Sequence, residues 1–170
     1  MGAMVGYVPG AGLEAKLVSV FPQNHQRGGP SHQALIALFD EGDGTPLALT
    51  DGSYNTAIRT AGAAAVAARA LAREDAKVLA ILGAGVQGGS HLETFPRVRD
   101  FAEIRVASRD AGKAAALAVR HPRARAVASF EAAVRGADVV ACCTDTREPV
   151  IRREWLKVGA HVRSVGGTFG

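Results

Sequence analysis

The stretch ILGAGVQGGSH, residues 81–91, contains three glycines in the spacing G-x-G-x-x-G. Gly83 permits a tight turn, Gly85 lets the backbone approach a pyrophosphate, and Gly88 lets a helix pack closely on a strand. The N-terminus of that helix would offer free N–H donors and a partial positive charge to a phosphate. The motif therefore predicts a dinucleotide-binding turn, and the alternative is a glycine-rich turn that binds nothing.

The residues around the motif supply the context that it needs. Apolar strand-like runs recur along the second half of the chain, separated by helical stretches, at residues 77–83, 103–109, 124–129, 138–144 and 161–167. This alternation is typical of a parallel sheet covered by helices. The sequence therefore predicts an α/β fold with a Rossmann-type parallel sheet domain over residues 76–170, whose second half is incomplete. Pro96 is expected to end or bend the first helix.

The first half has a different pattern. Strand-like runs at 16–21, 33–40 and 45–51, with a turn at 41–44, predict a small antiparallel meander within residues 1–55. Residues 56–75 are rich in alanine and lack proline, which predicts one long linking helix. We expect three parts: a partial β-rich lobe, the helix and the Rossmann domain.

The end of the second parallel strand bears on the choice of cofactor. The strand ends in Ser108 and Arg109, which suit the 2′-phosphate of NADP better than the 2′-OH of NAD. Asp110 leaves NAD open, because its carboxylate could cap the next helix or bind a ribose hydroxyl. The sequence predicts NADP, with NAD as the alternative.

Composition excludes several classes of function. The net charge of +4 is scattered and aromatic residues make up only 5% of the chain, so no nucleic-acid partner is expected. Cys142 and Cys143 are adjacent, which opposes a disulfide, and no histidine or cysteine has zinc spacing, so no metal is expected. The sequence has no leader pattern and no apolar run long enough to cross a membrane, so we expect a cytoplasmic protein.

Four stretches together resemble the ornithine cyclodeaminase/mu-crystallin family. They are KLVSVFPQN at 16–24, GGPSHQALIALFD at 28–40, the run from 46 to 73 that contains TAIRTA, and ILGAGVQGGSHLE at 81–93. The resemblance implies hydride exchange between a nicotinamide cofactor and the α-carbon of an amino or imino acid. It also implies a homodimer formed through the β-rich lobe, which would be a substrate and dimerisation lobe. Family members extend beyond both ends of this sequence, so the resemblance implies a fragment or a degenerate copy.

The resemblance assigns roles to individual residues. Lys16 matches the family's substrate-side lysine, and Arg59 matches the arginine that contacts the substrate carboxylate or the cofactor, although each could be an ordinary surface residue. Ser31 and Thr60 match cofactor contacts, and each could equally be a plain hydroxyl.

Further cofactor contacts are expected after the second glycine and at two later strand ends. They are the backbone of Val86 and Gln87, then Thr144 and Val165 at the nicotinamide. Val165 could instead be ordinary strand packing, and His91 is expected to be structural.

One position departs from the family pattern. Thr168 stands where cyclodeaminases carry an aspartate that transfers protons, and threonine is a poor general base at neutral pH. The favoured activity is therefore reduction of a cyclic imino acid, Δ1-pyrroline-2-carboxylate or a ketimine. The alternatives are conversion of ornithine to proline and ammonia, and a non-catalytic NADP-binding protein or inactive fragment.

Overall fold

The structure is a computed structural model that describes residues 1–146 and 148–166. The chain forms two compact units, Met1–Ala57 and Ile58–Gly170. The division between the units lies inside helix α1 (Ser53–Leu71). This helix begins three residues before the start at residue 56 that the sequence predicts. The three-part domain organisation expected from the sequence stays a prediction.

The first unit is an antiparallel sheet with the strand order β1-β2-β3-β4. Its strands are β1 (Gly2–Val8), β2 (Gly12–Val20), β3 (His32–Phe39) and β4 (Pro46–Asp51), with a 3-10 helix at Pro22–Arg27. The sequence predicts three of these strands but misses β1. That segment contains two glycines and forms a strand because it pairs with β2 along its whole length, from Gly2 opposite Val18 to Val8 opposite Gly12.

The two faces of this sheet differ in exposure. One cross-strand row runs through Met4, Lys16, Ile36 and Thr50, and Lys16 and Ile36 in its centre are buried. The rows on the opposite face carry apolar side chains that are exposed, among them Val5, Leu17, Leu35 and Leu49. Exposed apolar patches of this kind are uncommon on monomeric proteins.

The second unit contains a parallel five-stranded sheet with the order β7-β6-β5-β8-β9. Its elements are β5 (Val78–Leu82), α2 (Val86–Thr94), β6 (Glu103–Ala107), α3 (Ala111–Ala118), β7 (Ala124–Ala126), α4 (Phe130–Val134), β8 (Val139–Cys142) and β9 (His161–Ser164). Two further 3-10 helices lie at Phe95–Arg97 and Arg153–Trp155. The order reverses at β5, so the predicted α/β fold with a Rossmann-type sheet is confirmed.

Two apolar clusters hold this sheet between its helices. One contains alanines of α1 with Leu92, Phe95 and Leu117, and the other contains Ala133 and Val134 of α4. Helix α2 ends at Thr94, two residues before Pro96, as the proline predicts.

Candidate functional site

The glycine turn lies where the carboxyl ends of β5 and β8 meet. Gly83 has φ +109°, which favours glycine, and a Cβ there would lie 2.6 Å from the Cys143 carbonyl oxygen. A Cβ on Gly88 would lie 2.0 Å from the Gly83 carbonyl oxygen. Side chains at these two positions would separate α2 and β8 from the turn, so both glycines are required by packing.

Gly85 has a different role, because nothing lies within 4 Å of the place where its Cβ would be. It is the N-cap of α2 and provides no side-chain cap. The N–H groups of Val86, Gln87 and Gly88 donate to no residue that the structure describes. Unbonded backbone donors at the N-terminus of a helix whose N-cap, Gly85, borders open space form an anion-binding arrangement.

The end of β6 lies against the same turn, because Gly83 N donates to the Ala107 carbonyl oxygen at 2.8 Å. Asp110 is the N-cap of α3, and its Oδ1 accepts from Lys113 N at 3.0 Å. The Ser108 hydroxyl accepts from Asp110 N at 3.3 Å. Arg109 is exposed and forms no ion pair with any residue in the described part of the chain. The carboxylate in this loop therefore serves the helix cap, and the guanidinium is available to a ligand.

A cavity of about 270 Å³ lies on the other side of the turn, at the ends of β8 and β9. It is lined by Cys142, Thr144, Thr146, Glu148, Pro149, Val150, Ile151, Val162, Ser164 and Gly166. A Cβ on Gly166 would lie 2.3 Å from the Thr144 carbonyl oxygen, so the two strand ends are in contact. The cavity provides polar groups at its Thr144 end and apolar walls from Val150 and Ile151.

Ser164, the last residue of β9, and Val165, which follows it, face opposite sides of the sheet. Val165 packs against the apolar cluster on the helix side, whereas Ser164 and Gly166 line the cavity. Strand alternation carries this signal, because adjacent residues of a strand point to opposite faces. Val165 could therefore contact a ligand only through its backbone.

Cys142, the last residue of β8, and Cys143, which follows it, show the same alternation. Cys142 and Cys143 belong to the two clusters on opposite faces, and neither is in a disulfide. Burial raises the pKa of the Cys142 thiol to about 11 and raises that of Cys143 as well. Neither thiol is a nucleophile at neutral pH.

The remaining predicted residues lie on the β-rich unit and on α1. Lys16 lies at the centre of β2 and only 3% of its surface is exposed, so it is not an ordinary surface residue. The Ser31 hydroxyl lies 3.0 Å from His32 Nδ1 in the loop before β3. Arg59, which is exposed, and Thr60 lie on α1 in the second unit. Thr168 lies outside the described residues.

The donor set fits a dinucleotide. The open space at Gly85, the unbonded N–H groups of the first turn of α2 and the exposed Arg109 suit a pyrophosphate and a further phosphate. No three His, Cys, Asp or Glu residues within residues 1–146 and 148–166 are grouped to hold a metal ion. No helix in that same part of the chain is long and apolar enough to cross a membrane.

Comparison with known proteins agrees with this geometry. The chain is 40% identical over 157 residues to ketimine reductase mu-crystallin of Mus musculus, covering 92% of this chain and 50% of that protein. Among solved structures, Thermococcus litoralis Delta(1)-pyrroline-2-carboxylate reductase in complex with NADH and L-proline is 32% identical, with a TM-score of 0.88, over 96% of this chain and 57% of that one. An archaeal alanine dehydrogenase dimer with bound NAD is also 32% identical, with a TM-score of 0.87, over 94% of this chain and 50% of that one.

The chain spans about half the length of the curated relatives that it matches. A family model for the ornithine cyclodeaminase/mu-crystallin family matches residues 1–169. With this match and relatives at 40% identity, the chain belongs to the ornithine cyclodeaminase/mu-crystallin family.

Proposed function

We propose that this chain forms part of an NAD(P)-dependent oxidoreductase that reduces a cyclic imino acid, Δ1-pyrroline-2-carboxylate or a ketimine. The observation that carries the proposal is the set of three unbonded N–H groups at the start of α2, beside the open space at Gly85. The names of two relatives, a ketimine reductase and a Delta(1)-pyrroline-2-carboxylate reductase with NADH, support the reaction and the substrate class.

The residues of this chain would bind and orient the reactants. When bound, a reduced nicotinamide supplies hydride to the imine carbon. The first turn of α2 would hold the pyrophosphate, and Thr144 would contact the nicotinamide half from the end of β8. We assign the substrate carboxylate to Arg59, since a guanidinium grips a carboxylate through two hydrogen bonds. We give Lys16 a separate substrate-side role, by its match to the family's lysine. Water or the substrate would supply the proton.

We propose NADP as the preferred cofactor. Arg109 and Ser108 offer a cation and a hydroxyl at the end of β6, while the Asp110 carboxylate accepts from Lys113 N. A carboxylate engaged in a helix cap is a poor ligand for a ribose hydroxyl. The same reasoning leaves NAD as a weaker ligand. The cytoplasmic location inferred from the sequence stays a prediction.

The experiment supplies the protein with NADPH and a panel of candidate imino-acid substrates. Oxidation of NADPH is followed by the loss of its absorbance. Oxidation driven by Δ1-pyrroline-2-carboxylate or by a cyclic ketimine is the expected result. Arg59→Gln should raise KM for the imino acid by about tenfold or more, because a charge-assisted bond contributes about 1.5–3 kcal/mol. Arg69→Gln, an exposed arginine on the same helix, is the matched control and should change nothing.

Two other outcomes would refute the reductase proposal. NADPH binding without oxidation on any imino acid would indicate a non-catalytic binder. Release of ammonia from ornithine without net change in the cofactor would indicate a cyclodeaminase.

We also propose that the β-rich unit pairs with a second copy of the chain. The row Val5, Ala15, Ala37 and Leu49 presents apolar side chains, of which Val5 and Leu49 are exposed and the two alanines partly exposed, and a matching sheet face would bury them. The name of the related alanine dehydrogenase dimer supports this association. This face would make the first unit a dimerisation lobe.

Light scattering coupled to gel filtration tests the dimer. Leu49→Glu should convert dimer to monomer, because it places a charge in the proposed apolar contact. Leu71→Glu changes a residue that is 74% exposed at the end of α1, and it should leave the dimer intact. A wild-type chain that is monomeric at every concentration would refute the proposal.

A further inference from the structure

His91 is a buried side chain of α2 that the proposed mechanism does not use. It is 0% exposed and its ring stacks on Phe95, with centroids 5.3 Å apart and planes 26° apart. Its Nδ1 lies 2.7 Å from the Gln87 carbonyl oxygen. A carbonyl oxygen only accepts, so Nδ1 must carry the hydrogen.

The other ring nitrogen is then an acceptor. Burial lowers the pKa of His91 and the charge of Arg163 lowers it further, against the hydrogen bond to Gln87, so the ring is neutral at pH 7. Its Nε2 is buried and has no hydrogen-bond partner within the described residues. The same holds for Arg163 Nε, on the face of β9 that also carries Val165. A guanidinium donor and an imidazole acceptor are thus both left unpaired on this side of the sheet.

The carbonyl that His91 contacts has a specific place in the cofactor site. Gln87 C=O and Gly88 N–H belong to one peptide group, and Gly88 N–H is one of the three unbonded donors in the first turn of α2. A hydrogen bond to the oxygen of a peptide polarises its N–H, because hydrogen bonds in a chain strengthen one another. The Nδ1–H bond of His91 therefore makes Gly88 N–H a better donor and fixes the plane of that peptide.

We propose that His91 is a positioning residue for the dinucleotide, holding and polarising the Gln87–Gly88 peptide whose N–H faces the pyrophosphate. Arg163 assists through its charge, which favours the neutral ring. This inference rests on the proposed dinucleotide site, and it assigns His91 no contact with the ligand. Sequence spacing alone indicates only a helical histidine four residues after Gln87.

The test compares wild type, His91→Phe and His91→Asn by calorimetric titration with two ligands. NADPH carries the pyrophosphate, whereas adenosine 2′-monophosphate carries only the adenosine half. His91→Phe keeps the ring stacking and loses Nδ1–H, so it should weaken NADPH binding by about two- to fourfold, because the lost bond strengthens the Gly88 donor by only a fraction of one hydrogen bond. It should leave the affinity for adenosine 2′-monophosphate unchanged. His91→Asn places an amide N–H near the Nδ1 position and should restore most of the NADPH affinity.

Three results would overturn the proposal. They are equal NADPH affinity in wild type and His91→Phe, equal weakening of both ligands, and no recovery in His91→Asn. If neither variant folds, NMR of wild type decides: a ring protonated on Nε2 at neutral pH contradicts the assignment. A folded wild-type chain that binds neither NADPH nor NADH would instead refute the proposed function.

Discussion

Asp138, the residue before β8, joins the amino ends of two strands. It is 5% exposed, and its Oδ2 accepts from the backbone N of Lys77 and of Val78, both at 2.8 Å. Its Oδ1 accepts from Arg73 at 2.9 Å and from the ammonium of Lys157. One carboxylate thus satisfies four donors from three separate segments.

Asp138→Asn tests how much this arrangement stabilises the fold. Asparagine keeps one acceptor oxygen and turns an NH₂ group toward the donors of the other. Two of the four donors therefore lose their acceptor. At about 1–3 kcal/mol for each part-buried hydrogen bond to the carboxylate that is lost, the free energy of unfolding should fall by about 2–6 kcal/mol.

The assay is urea unfolding followed by far-UV circular dichroism at pH 7. With a slope of about 2 kcal/mol/M, the urea midpoint should fall by about 1–3 M. Asp75→Asn is the matched control: Asp75 is also paired with Arg73, but it is 77% exposed. Surface pairs contribute at most about 1 kcal/mol. A loss in Asp138→Asn no larger than in Asp75→Asn would refute the reasoning.

The pH dependence gives a second check. Burial alone would raise the pKa of Asp138, but the hydrogen bonds from Lys157 and from the backbone of Lys77 and Val78 lower it below its ordinary value. A lowered carboxylate pKa means stability that is present above the unfolded pKa and lost as pH falls through the folded one. The gap between wild type and Asp138→Asn should therefore shrink as the pH is lowered below about 4.

Three further changes test other parts of the second unit. Arg109→Gln should weaken NADPH binding by about tenfold and leave NADH binding unchanged in titrations, with Arg69→Gln as the control of equal charge. Gly88→Ala should destabilise the fold by about 1–3 kcal/mol or more in urea melts, because its Cβ would meet the turn at 2.0 Å, whereas Gly62→Ala, with open space, should be neutral or stabilising. Hydrogen bonding to a neighbouring arginine lowers the pKa of Glu103 to about 2, so wild-type stability should fall between pH 4.5 and 2 more steeply than that of Glu103→Gln.

The parts of the fold that the sequence predicts are those with local causes. The glycine turn is predicted because three positions need no side chain, and the helix end near Pro96 is predicted because proline lacks an N–H. The cap by Asp110 follows from residue type and position, and the structure confirms it.

The parts that the sequence does not predict depend on residues far apart in the chain. Strand β1 exists because of its pairing with β2. Lys16 is buried although the next residue of the same strand, Leu17, is exposed, and the role of Asp138 needs partners 60 and 61 residues away. Spacing along the chain carries no signal for such contacts. Alternation predicts that Ser164 and Val165 face opposite sides, but which of the two lines the cavity depends on how the sheet packs.

Stability and ligand affinity should be separable in this unit, because their determinants lie at opposite ends of the same strands. Asp138 joins the amino ends of β5 and β8, whereas Gly83 and Thr144 lie at their carboxyl ends. A variant at Asp138 should lower the urea midpoint while NADPH affinity, measured on the folded fraction, stays that of wild type. His91→Phe should do the reverse, since its ring still packs on Phe95. If both variants changed both quantities in proportion, the two ends would behave as one cooperative network, and the local account of the cofactor site would be wrong.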